Sequence, residues 1–221
     1  YVTKNASKGE HVIAANEGGA IALAAGHYLA TGEYALVYMQ NSGLGNAINP
    51  LLSLADVDVY SIPMLLMVGW RGEPGLRDEP QHSKQGRVTL KFFDAMEIPC
   101  HILDGAIDRW EDVVNAAYCD MKARQGPVAF LVKKGTFKPY QFELPTRQNY
   151  PLTRENAIEV IIDELVDGEL IISTTGMASR ELFELRQTKG QSHNNDFLTV
   201  GSMGHCSQVA LAVALAKPDR Q

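Results

Sequence analysis

The sequence predicts an α/β fold of doubly wound parallel sheets with helices on both faces, and two observations carry that prediction. Short continuous apolar runs, such as residues 35–37, 63–69 and 128–132, suit strands buried on both faces of a parallel sheet. They alternate with segments of helical spacing, among them residues 20–29, 88–96 and 108–124, and strand–helix alternation is the mark of a parallel α/β sheet. At 221 residues, 45% of them hydrophobic, the chain has room for one large domain, or for one domain and part of another.

Residues 11–15 (His-Val-Ile-Ala-Ala) are a strand candidate that ends at Asn16-Glu17-Gly18-Gly19. Residues 20–29 are small and apolar, as in a helix packed closely on a sheet, so Glu17 falls at a helix start. A carboxylate there is favoured by the helix dipole, and it can also serve as a half-buried acid aimed at a ligand. After residues 35–37 comes the stretch 38–50, Tyr-Met-Gln-Asn-Ser-Gly-Leu-Gly-Asn-Ala-Ile-Asn-Pro, which reads as a polar, glycine-bearing turn leading to helical spacing from Leu51. Gly43 and Gly45 let a ligand approach the backbone. Gln40, Asn41, Ser42, Asn46 and Asn49 place uncharged hydrogen-bonding groups at the carboxyl end of a strand, where open α/β sheets bind ligands. A tight turn capped by Asn and Ser is the purely structural alternative. Neither G-x-G-x-x-G nor G-x-x-x-x-G-K-[ST] occurs in the stretch, which disfavours a nucleotide phosphate loop.

Residues 63–69 form a buried strand that delivers Trp70-Arg71-Gly72-Glu73-Pro74-Gly75 to the same edge. Residues 76–87 carry too many charges and breakers for a core element and read as a long functional loop, followed by a helix over 88–96. A strand over 100–103, a helix over 108–124 with Trp110, Val113, Val114, Ala117 and Met121 on one side, and a strand over 128–132 complete the first pattern. Residues 138–152 hold three prolines and no apolar period, which marks a linker. Thr153 then caps a helix carrying Ala157, Val160, Ile161, Leu165 and Val166. A strand over 170–173, the turn Thr174-Thr175-Gly176, a helix from Ser179, a strand over 197–200, the turn Gly201-Ser202-Met203-Gly204-His205 and a helix over 209–216 follow.

With 20 basic against 26 acidic residues, a formal net charge of −6 and no basic run, neither nucleic acid nor a membrane is the expected partner. Cys100, Cys119 and Cys206 are scattered without C-x-x-C spacing. They read as reduced thiols in a cytoplasmic protein rather than as a disulfide or zinc framework.

The stretches Asn16-Glu17-Gly18-Gly19-Ala20, Gln40-Asn41-Ser42-Gly43-Leu44-Gly45-Asn46 with Asn49-Pro50, Trp70 to Gly75 with Asp78-Glu79-Pro80-Gln81-His82, Ser173-Thr174-Thr175-Gly176 with Ser179-Arg180-Glu181-Leu182, and Gly201-Ser202-Met203-Gly204 occur in this order. By these five stretches, nearly the whole chain resembles the thiamin diphosphate-dependent 2-oxo acid decarboxylases. The resemblance implies a pyrimidine-binding domain over residues 1–137, incomplete at its amino end, a linker over 138–152, and over 153–221 the opening part of a diphosphate-binding domain. It implies thiamin diphosphate and Mg2+ as cofactors, with the metal ligands, a Gly-Asp-Gly motif and a downstream Asn, lying beyond Gln221. Glu17 matches the glutamate that hydrogen-bonds the cofactor's pyrimidine nitrogen and favours its imino tautomer. Asn41, Gly43, Thr175, Gly176, Gly201, Ser202 and Met203 match cofactor-binding positions, Met203 being the apolar wedge that bends the cofactor.

His82 stands where related decarboxylases carry a proton-handling His or Gln, although a loop histidine is often merely solvated. Asn46, Arg71 and Arg180 are substrate candidates. The two arginines suit a tetrahedral oxyanion, with surface salt bridging as the competing reading. The implied substrate is a small 2-oxo acid with a phosphonate tail, and its sulfonate analogue is the alternative. The implied assembly is a homo-oligomer with active sites at the subunit interface. From a different class, a non-catalytic α/β ligand-binding module is the rival reading, and it has no need of both Glu17 and Met203.

Overall fold

The computed structural model describes residues 2–7, 9–141, 150–166 and 168–219. The chain divides into two compact units, Tyr1–Glu143 and Leu144–Gln221.

In the first unit a short helix, α1 (Val2–Asn5), precedes α2 (Glu17–Thr31). Asn16 caps α2 from an extended backbone, its side-chain oxygen accepting the N–H of Gly19 at 2.8 Å. After β1 (Ala35–Gln40) the chain winds through a 3-10 turn, Asn41–Gly43, into α3 (Leu44–Pro50) and a π-helical turn, Leu51–Ala55. There follow β2 (Met64–Gly69), α4 (Pro80–Ala95), β3 (Cys100–Leu103), α5 (Trp110–Arg124) and β4 (Val128–Val132).

The four strands are parallel in the order β1-β2-β4-β3. Gln40 lies beside Gly69, Gly69 beside Val132, and Leu103 beside Val132, so the four strands end level and the segments after them leave from one edge. On one face Val37, Met39, Met64, Leu66, Val68, Ala129 and Leu131 pack with Ile21, Ala24 and Ala25 of α2, Leu44 and Ala47 of α3, and Phe93 of α4. On the other, Leu65, Met67, Val128, Phe130 and Val132 meet Ala117 and Met121 of α5. Burial on both faces is why β2 and β4 read as unbroken apolar runs, whereas β1 leaves Leu36 and Tyr38 exposed; each fully buried large side chain contributes about 1.5–3 kcal/mol.

The second unit comprises α6 (Arg154–Glu164), β5 (Ile171–Ser173), α7 (Met177–Thr188), β6 (Asp196–Leu198) and α8 (Cys206–Ala216). Thr153 and Asn156 form a capping box at the start of α6. β5 and β6 pair in parallel with Ser173 beside Leu198, and Arg186 at the end of α7 grips the buried carboxylate of Asp196 through two bonds of 2.9 Å.

Several expectations are corrected. Residues 11–15 form no strand: Val12 and Ile13 stay exposed and no described strand pairs with them, so their β-forming character has no ladder to enter. The stretch 38–50 is mostly not an open turn, because β1 runs to Gln40 and the backbone is helical from Asn41 onward. The long loop over 76–87 ends at Glu79: Pro80 opens α4, which exposes Lys84 and Arg87 and buries Gly86, Thr89 and Phe93. Trp110 is exposed at the first turn of α5, and on α6 it is Ile162 that is buried while Val160 and Ile161 face out. Most of the proline-bearing stretch 138–152 lies outside the described residues.

Candidate active site

Glu17 is the first residue of α2, where the helix dipole favours a carboxylate. Its side chain folds over the backbone of Gly43, in the space that a Cβ at position 43 would fill. Asn46, on α3, donates from Nδ2 to Glu17 Oε2 at 3.0 Å, and Glu17 Oε1 has no hydrogen-bond partner among the described residues. A Cβ at Gly18 would stand 2.8 Å from the carbonyl oxygen of Asn46, a looser approach than at Gly43. Glu17, Gly43 and Asn46 therefore converge at the carboxyl end of β1, leaving one carboxylate oxygen open to an N–H donor.

Asn41 is buried beneath this group, and its amide is fully engaged. Nδ2 donates to the Arg71 carbonyl at 2.8 Å and to Thr89 Oγ1 at 2.9 Å, while Oδ1 accepts the Arg71 N–H at 3.0 Å. It clamps the turn after β1 to the turn after β2 and to α4. Arg71 is itself tied down: its guanidinium meets Asp78 in a fork of 2.8 and 2.5 Å, and Asp78 also accepts the N–H groups of Gly72 and Glu79. The Arg71 bond is the main reason that the Asp78 carboxyl lies well below the usual range, and the same bond raises the Arg71 pKa. Gly72, at φ 67°, has no room for a Cβ because the carbonyl of His82 crosses there. His82 sits in the first turn of α4, with Nδ1 3.3 Å from Gln85 Oε1.

Sequence reasoning missed a charged cluster at the same edge. Lys133, just past β4, meets Asp104 at 2.8 Å and Glu73 at 3.2 Å, and these carboxylates, Asp104 first, raise its pKa. The strand order β2-β4-β3 assembles the three, and no local motif announces them.

In the second unit, Thr175 and Gly176 follow β5, and Gly201, Ser202 and Met203 follow β6, at the same end of a parallel pair. Ser179 Oγ lies 2.5 Å from Ser173 Oγ and 2.7 Å from the Thr174 carbonyl, and Thr199 Oγ1 donates to the Ser173 carbonyl at 2.6 Å. These bonds fix the two turns against each other. Met203 is 60% exposed, and Arg180 is exposed on α7. Among the described residues no group of three His, Cys, Asp or Glu side chains is placed to hold a metal ion.

Comparison with known proteins defines the class first. Residues 2–97 match the family model described as Thiamine pyrophosphate enzyme, N-terminal TPP binding domain, in line with the resemblance that the motifs carry. More particularly, the chain is similar to phosphonopyruvate decarboxylases: 34% identical over 217 residues to that of Streptomyces viridochromogenes, covering 91% of this chain and 53% of the relative, and 35% identical over 217 residues to that of Streptomyces hygroscopicus, covering 91% and 52%. A sulfopyruvate decarboxylase subunit alpha from Methanocaldococcus jannaschii is 38% identical over 92 residues, 41% of this chain and 52% of the relative. The chain spans about half the length of the curated relatives it matches.

Proposed function

We propose that this chain carries the pyrimidine-binding half, and part of the diphosphate-binding half, of an enzyme that decarboxylates 3-phosphonopyruvate to phosphonoacetaldehyde and CO2. The observation that carries the reading is Glu17: a helix-start carboxylate laid over Gly43, oriented by Asn46, with one oxygen unbonded. Such a carboxyl group can pass a proton to the ring nitrogen of an aminopyrimidine and then accept the N–H so formed, so the residues present fit thiamin diphosphate. When bound, the cofactor supplies a nucleophilic carbon and an electron sink. Glu17 then holds a proton at the ring nitrogen, Asn46 fixes the carboxylate's orientation, and Gly43 keeps the space open. Thr175 and Gly176 line the diphosphate, Gly201, Ser202 and Met203 shape the cofactor, His82 moves a proton, and Arg71 stands at the wall of a cavity open to the substrate's anionic tail. The lengths of residues 1–137 and 153–221, joined by 138–152, correspond to two successive domains.

Mg2+ is proposed as the companion of the diphosphate, because the turns at residues 174–176 and 201–204 carry no basic side chain to offset its charge. A homo-oligomer with sites completed between subunits is proposed because Leu23 and Leu29 of α2 and Leu52 beside α3 remain exposed, and because one similar protein bears the name of a subunit. The free cysteines suit a cytoplasmic setting, and no described helix is long and apolar enough to cross a membrane.

The similarity of a 92-residue stretch to a sulfopyruvate decarboxylase subunit alpha supports the sulfonate analogue as the second reading. Aldehyde release from phosphonopyruvate and from sulfopyruvate, measured side by side with thiamin diphosphate and Mg2+, separates the two. Turnover of phosphonopyruvate at the higher kcat/KM supports the first. Turnover of neither substrate returns the chain to the class of ligand-binding modules.

A further inference from the structure

A cavity of about 470 Å3 opens at the carboxyl ends of β1, β2 and β4. Gln40 lines it and Gly43 underlies Glu17, so the cavity and the Glu17 carboxylate flank a single turn of chain. Its charges are unevenly matched. Arg71 is neutralised by Asp78, and Lys133 by Asp104 and Glu73, whereas Arg77 and Lys134 have no ion-pair partner among the described residues. Counted with both carboxylates on Lys133, this leaves a weak local positive field, an excess of one charge, in a chain of net charge −6, with Trp70 and Tyr38 as aromatic wall. Against that field stands one anomaly. Glu73, its side chain 12% exposed, bonds Lys133 through Oε1 and leaves Oε2 buried with no hydrogen-bond partner among the described residues. An orphaned carboxylate oxygen is costly, and the terminal torsion of a Glu is soft enough to turn it toward the cavity once a donor is there.

An anion that also carries an acidic O–H satisfies both features. We infer that the cavity receives the substrate's tail as a singly protonated phosphonate, with anionic oxygens toward Arg77 and Lys134 and its P–O–H donated to Glu73 Oε2, and that Glu73 is thereby a specificity-determining residue. A sulfonate is fully ionised near neutral pH and has no O–H to give, so Glu73 repels it. The inference rests on the decarboxylase reading for the identity of the ligand and deepens it: Glu73 decides between the two analogues that the chain's relatives are named for.

The test is calorimetric titration of the full chain with methylphosphonate and with methanesulfonate, between pH 5.5 and 8.5. Methylphosphonate binds roughly 10- to 100-fold more tightly, the worth of a charge-assisted hydrogen bond. Its affinity declines as the second ionisation is passed, which for an alkylphosphonate lies above the value of about 6 of a phosphate monoester, while the sulfonate's stays flat. Glu73→Gln, which offers an N–H in place of the acceptor, brings the two affinities together. Arg77→Ala, at an exposed and unpaired side chain, weakens both by a similar factor and keeps their ratio. Equal binding of the two anions by the unaltered chain, preserved discrimination in Glu73→Gln, or no effect of Arg77→Ala would each overturn the proposal. Methylphosphonate that binds yet leaves the KM for phosphonopyruvate unchanged would overturn the assignment to the substrate. The binding measurement needs no turnover, so it can fail while decarboxylation stands, and succeed where decarboxylation fails.

Discussion

Gly43→Ala separates the geometry of the site from the stability of the fold. The backbone at position 43 has φ −89° and ψ −7°, a conformation open to any residue, so alanine brings no backbone strain. In a helical turn it is favoured over glycine by about 0.5–1 kcal/mol. The added methyl group would instead occupy the position of the Glu17 carboxylate, which must swing out to another rotamer at about 0.5–1.5 kcal/mol and give up the Asn46 bond, worth about 1.5–3 kcal/mol at most for a charged acceptor. These opposing contributions leave a net loss of stability of about 1–4 kcal/mol. Decarboxylation should nevertheless fall by roughly 10²- to 10⁴-fold, the scale of a displaced acid–base group. Urea unfolding and aldehyde release measured on the same preparation check both halves, and in a Glu17→Gln background the alanine should add little further loss. An unaltered rate would refute the placement of Glu17 over Gly43, and a rate lost only alongside wholesale destabilisation would refute the claim that the effect is local.

Asn41→Ala removes three hydrogen bonds from a buried position and strands both polar groups of the Arg71 backbone; the expected cost is about 2–4 kcal/mol, read from the urea midpoint of the first unit. Asp78 has a depressed pKa in the folded chain, so its contribution to stability is complete above the ordinary carboxylate range, near pH 4, and is lost as the pH falls toward its folded value. Asp78→Asn should therefore show a smaller drop in unfolding free energy between pH 7 and pH 3 than the unaltered chain, and an identical drop would argue against the Arg71 fork. Burial pushes the Cys100 thiol up to about 12 while Cys119 is exposed, so brief alkylation at pH 8 followed by mass spectrometry should find Cys119 modified and Cys100 intact.

The strands of the first unit were legible because β2 and β4 are covered on both faces, and a strand so placed must be apolar at every position. The start of α4 was not. Its buried face there is built from Gly86 and Thr89, which an apolar-periodicity reading does not count, while its charges point to solvent. Residues 11–15 show the reverse failure: Val12 and Ile13 favour a strand, but a strand exists only where a neighbour supplies the ladder. Glu17 and Gly43 could be picked out by their motifs, yet that one lies on the other is a fact of tertiary packing. The union of Glu73, Asp104 and Lys133 was out of reach of any sequence pattern, since it depends on β4 lying between β2 and β3. In the sequence Arg71 reads as a candidate for an oxyanion, with a salt bridge as the competing reading. Its fork to Asp78, seven residues on, gives it a structural task as well.

The central claim is that Glu17 acts on thiamin diphosphate. Its most direct test is the rate of phosphonopyruvate decarboxylation by the intact protein as thiamin diphosphate is titrated in, for the unaltered enzyme and for Glu17→Gln. The account predicts a saturable dependence on the cofactor, and a maximal rate that falls roughly 10²- to 10⁴-fold when Glu17 can no longer hold the ring proton. Decarboxylation that is indifferent to added cofactor after exhaustive removal, or a Glu17→Gln enzyme as fast as its parent at saturation, would contradict it.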